Sequence, residues 1–148
     1  MSYQKLIEEH DRIDAALIGL TNILERSDRD VSAAATALDH LADELRTHLA
    51  HEDVMLYDEL IAARKPAFAS AVDHFNQQFD VLRRDWDSYL EAWKPEQISA
   101  NWNSFRTVTK LMIERLAERV AAENDLLYCT ALQAGVITLR EPQVAAAA

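Results

Sequence analysis

Apolar residues recur at steps of three and four along almost the whole chain, and only two glycines and three prolines in 148 residues interrupt them. A three- and four-residue period places side chains on one face of an α-helix, and no strand shares it. Ala, Leu, Glu, Arg and Asp fill the positions between, so strong helix formers dominate where packing does not decide. The pattern predicts an all-α fold.

Four segments carry the period. Leu6, His10, Ile13, Leu17, Leu20 and Leu24 define a first helix that ends near Glu25, Arg26 and Ser27. After the polar break Ser27-Asp28-Arg29-Asp30, a second helix runs from about Val31 to Ala63, with Leu38, Leu41, Leu45, His48, Glu52, Leu56 and Leu60 inward. Pro66 suits the first turn of a third helix, where its missing N–H costs nothing. Phe68, Phe75, Phe79, Leu82, Trp86, Leu90 and Trp93 give this helix an aromatic face that Lys94-Pro95 closes. A fourth helix is expected from about Ile98 to Thr130 through Trp102, Phe105, Met112, Leu116, Arg119, Glu123 and Leu127. Four helices of roughly 25 to 33 residues with short polar links suit an up-down-up-down antiparallel four-helix bundle, which is the expected architecture. Residues 1–133 are read as that single domain and 134–148 as an irregular C-terminal tail.

A formal charge of −10 argues against nucleic acid and anionic membranes, which need clustered Lys and Arg. No run approaches eighteen apolar residues and the first residues lack an apolar leader, so a cytoplasmic protein off the membrane is expected. The single cysteine, Cys129, makes no intramolecular disulfide and fits a reducing compartment. Trp86, Trp93 and Trp102 would support a homodimer face if exposed.

His10, His48, Glu52, Arg119 and Glu123 break the pattern, because all sit on stripes otherwise built from Leu, Ile and Met. An unpaired charge buried there costs several kcal/mol, so these groups must be paired, protonated or bound to a cation. His48 and Glu52, four residues apart, project from one helical face. His10 and His74 can approach from helices one and three, with Glu123 opposite Glu52. Imidazole with carboxylate suits iron, and also manganese or zinc, better than calcium or magnesium.

These segments resemble the hemerythrin-like (HHE cation-binding) family over nearly the whole chain. The resemblance rests on Leu6-Ile7-Glu8-Glu9-His10, on the run from His48 through His51-Glu52 to Tyr57, on Asp73-His74-Phe75, and on Glu123-Asn124-Asp125-Leu126-Leu127-Tyr128. It implies a hemerythrin-like bundle with a non-haem iron centre of one or two ions, binding oxygen, nitric oxide or iron itself. By resemblance its metal ligands are His10, His48, Glu52, His74 and Glu123. The sequence departs from the family at two places: Arg119 stands where helix four would supply a histidine, and Gln78 where a second helix-three histidine can occur. A guanidinium has no lone pair to offer a metal. The centre is therefore expected to hold one ion, or to use Arg119 as a stand-in for the second, with Gln78, Glu118 and His51 as surrounding candidates. The competing reading is a metal-free scaffold whose core is an Arg119-Glu52-Glu123 ion pair. A di-iron oxidase or peroxidase is a third reading, and the sequence weighs against it: the Glu-x-x-His pairs of ferritin-like oxidases are absent, as are a P-loop and a nucleophile triad.

Overall fold

In the computed structural model the backbone is described for residues 3–62 and 66–133, and side chains for residues 4–50, 74 and 77–125. All of the described segments are helices and the links between them. They comprise α1 (Tyr3–Glu25), α2 (Val31–Ala62), α3 (Pro66–Ala92), α4 (Pro95–Ala100) and α5 (Trp102–Gln133). The expected tail, 134–148, lies outside the described residues.

The α1–α2 link follows its sequence. Arg29 takes a left-handed φ of 47°, which turns the chain, and the Ala33 N–H donates to Asp30 Oδ1 at 2.9 Å. Asp30 thereby satisfies a donor in the first turn of α2 that has no partner inside the helix.

The expected fourth helix divides in two. Pro95 stands at the start of α4, and Asn101, with φ −138° and ψ 55°, interrupts the helical path. The break costs little hydrogen bonding, because the Asn101 N–H donates to the Gln97 carbonyl and the Phe105 N–H to the Asn101 carbonyl. Fully buried Ile98 fixes α4 beside α2.

α1 packs against both α2 and α5. Its end meets the start of α5, where Arg106 Nε donates to the Leu24 carbonyl, and its start meets Glu123 near the other end of α5. Those two helices are antiparallel. α3 and α5 are antiparallel too, since Tyr89 meets Thr109 and Asp85 meets Arg115.

Ile13, Leu20, Leu24, Leu41, Ile98 and Phe105 are fully enclosed in one continuous core. Trp86 and Trp102 are buried in it and Trp93 is half-buried, so the tryptophans pack inward and leave no exposed tryptophan face. On α3 the expected Leu90 is only half-buried, and Tyr89 takes the inner place. Tyr89 can do so because its hydroxyl finds Thr109 Oγ1 at 2.6 Å. Burial pushes the Tyr89 phenol up to about 12. No described helix is long and apolar enough to cross a membrane.

Candidate metal centre

The helical period that buries Ala16 and Leu17 as a doublet places Glu9 and His10 in the same two positions seven residues earlier. Both are enclosed, as are His48 on α2 and Arg119 and Glu123 on α5. Three helices thus bring charged and titratable groups into the continuation of an apolar core.

Their contacts are mutual. His10 Nε2 lies 2.9 Å from Glu123 Oε2 and 3.0 Å from His48 Nε2, and His48 Nε2 lies 3.3 Å from the same carboxylate oxygen. The outward ring nitrogens are engaged as well. His48 Nδ1–H donates to Glu9 Oε1 at 3.1 Å, and His10 Nδ1–H donates to Asn124 Oδ1. A neutral imidazole carries one N–H, so donation at Nδ1 leaves only a lone pair at Nε2. Three acceptor atoms, two nitrogens and one oxygen, therefore face one another within 3.3 Å. Such lone pairs repel unless a proton or a cation lies among them.

The donor set fits a transition metal. Ligand atoms at about 2.1 Å from one ion stand about 3 to 3.4 Å apart at octahedral or tetrahedral angles, which is the spacing of these three atoms. An oxygen acceptor behind each histidine fixes the tautomer and ring orientation, as in most histidine metal sites.

Glu123 has a second partner. Arg119, one turn earlier on α5, donates from Nε to Glu123 Oε1 at 3.0 Å, and its guanidinium lies 4.3 Å over the Phe79 ring. Arg83 approaches the same ring at 5.1 Å. Of the two carboxylate oxygens, one faces the histidines and the other faces the arginine.

Of the sequence-derived candidates, His10, His48 and Glu123 come together and Arg119 joins them. His74 is exposed, its Nε2 accepts from the exposed Gln78 Nε2 at 3.3 Å, and it is not in the group that His10, His48 and Glu123 form. Glu118 is exposed and does not swing in. The side chains of Glu52 and His51 lie outside the described residues. Sequence reasoning missed Glu9, Asn124 and Phe79 as parts of the site. The heptad offset from Ala16 and Leu17 marks Glu9 in the sequence, whereas Asn124 and Phe79 carry no such mark.

A family model described as the hemerythrin HHE cation-binding domain matches residues 1–131. No curated protein and no solved structure matched the chain.

Proposed function

The chain belongs to the hemerythrin HHE cation-binding family, and on that footing we propose that His10, His48 and Glu123 hold one transition-metal ion, iron in the first instance, for binding a small diatomic molecule such as oxygen or nitric oxide. The proposal includes an up-down-up-down arrangement of the four long helices around the site, with α4 as a short insert before the last. One observation carries the reading: two histidines tied down at Nδ1 turn their Nε2 lone pairs onto one carboxylate oxygen.

Each residue has a separate task. Glu9 and Asn124 hold the two imidazoles in the tautomer that can bind a cation. Glu123 supplies the anionic oxygen, and Arg119 occupies its other oxygen, where a second ion would otherwise be shared. Leu6 and Ile13 on α1, Leu45 on α2, and Leu116 and Val120 on α5 stand about one helical turn from His10, His48, Arg119 or Glu123 and are buried apolar residues that keep water away. A bound ferrous ion would supply the position at which the diatomic molecule attaches.

Elemental analysis and a near-ultraviolet and visible spectrum of protein grown in iron-supplemented medium test this. One iron per chain without oxo-bridge absorption is expected. Two irons with that absorption would replace the one-ion site by a two-ion site, and protein free of iron, manganese and zinc would overturn the reading.

The Arg119–Glu123 pair also favours a second reading, in which a shared proton on the histidines takes the cation's place and the protein acts as a metal-free scaffold. Zinc titration separates the two. A saturable rise in melting temperature at one equivalent supports the metal site, and no rise supports the scaffold.

A further inference from the structure

Arg119 is enclosed, and its charge is fixed in place from two directions. On one side its Nε donates to Glu123 Oε1 at 3.0 Å; on the other its guanidinium rests 4.3 Å over Phe79. Arg83 brings a second positive charge to the same ring. Glu123 therefore shares its negative charge between a permanent cation at Oε1 and whatever lies among Oε2, His10 Nε2 and His48 Nε2. A guanidinium stays protonated throughout the ordinary pH range, so this positive field cannot be relieved by losing a proton. In a buried site it is also weakly screened by solvent and salt.

A fixed positive charge weakens the binding of every cation nearby, and it does so in proportion to that cation's charge. The penalty is larger for a trivalent ion than for a divalent ion held by the same ligands. We propose that Arg119 biases this site toward divalent over trivalent cations, and hence toward iron(II) over iron(III) when iron is bound. The inference rests on the metal-binding reading above and deepens it by naming the charge state that the site selects. In oxidation the bound iron(II) gives one electron to an external acceptor such as ferricyanide, which becomes ferrocyanide. Arg119 makes that step less favourable by opposing the added positive charge.

The test uses the full chain loaded anaerobically with ferrous ammonium sulfate, with its midpoint potential measured by spectroelectrochemistry in ferricyanide and ferrocyanide mediators. In Arg119→Gln the guanidinium charge is lost, and the iron(III)-to-iron(II) affinity ratio should rise at least tenfold, a fall in potential of about 59 mV for a one-electron couple. Arg119→Lys keeps the charge and should stay close to the parent. Phe79→Leu leaves Arg119 charged but removes the ring beneath it, so a smaller fall is expected; this variant also serves if Arg119→Gln does not fold. A potential unchanged in both Arg119→Gln and Phe79→Leu would overturn the inference, as would an equal fall in Arg119→Lys and Arg119→Gln, which would mark a packing role. Failure of the parent to take up iron would instead overturn the metal-binding reading beneath it.

Discussion

The same three helices, α1, α2 and α5, build an oily region at one end of their shared core and a charged one toward the other. Leu20, Leu24, Leu38, Trp102 and Phe105, joined by Ile98 of α4, are buried apolar side chains in the first, and the Trp93 and Trp102 rings lie 5.5 and 5.8 Å from the Phe105 ring. Around His10 and His48 the corresponding helical positions carry groups that must satisfy one another individually. Dispersion and water exclusion tolerate small rearrangements in the first region, because they depend on area more than on direction. The second depends on direction, since each nitrogen and oxygen needs one particular neighbour. The apolar region can therefore carry stability while the charged region carries chemistry.

The largest expected effect breaks the apolar side. Phe105→Ala empties a fully enclosed position and should cost about 3–5 kcal/mol of unfolding free energy in urea. If the two regions are separable, the variant should still gain stability on zinc addition; loss of that gain would show that the site depends on distant packing.

His48→Ala breaks the other side. Zinc at a hundred times its dissociation constant should stabilise the parent by about 2.7 kcal/mol, and the variant should show almost none of that gain in calorimetry. An undiminished increment would remove His48 from the ligand set.

Tyr89 is a titratable group on the apolar side, so that side has a pH dependence of its own. Its phenol has an unfolded value near 10 and a folded value of about 12, so the native state holds a proton that the unfolded chain releases between them. Its contribution is constant below pH 10 and is lost as pH rises through 12. By pH 11.5 the parent should have lost about 2 kcal/mol relative to pH 9 that Tyr89→Phe does not lose. Urea midpoints at the two pH values measure it, and parallel losses would contradict the assignment to Tyr89.

The smallest effect is expected at the surface. Asp85 accepts from Arg115 at 2.8 Å, but both side chains are exposed, and Asp85→Asn should change stability by less than about 1 kcal/mol. A larger loss in the same urea assay would mean that the α3–α5 contact bears more of the fold than its apolar burial suggests.

Much of this was legible in the linear chain. A three- and four-residue period survives any arrangement of helices, because it is a property of each helix alone; hence α1, α2 and α3 lie close to where the pattern places them. Asp30 as the residue before α2 and Pro66 as the first residue of α3 follow from local backbone chemistry. The break at Asn101 does not, because the apolar period runs through Ile98, Trp102 and Phe105 without interruption and both sides of the break remain buried.

The site divides in the same way. That His10, His48, Arg119 and Glu123 are enclosed was determined by the sequence, since each stands on an apolar stripe. Which of them touch was decided only by the tertiary structure. Helix rotation and the relative heights of α1, α2 and α5 bring Glu123 Oε2 to both histidines and leave His74 at the surface. Periodicity fixes the face on which a side chain stands, whereas a contact across helices depends on distances that the packing of all of them sets together.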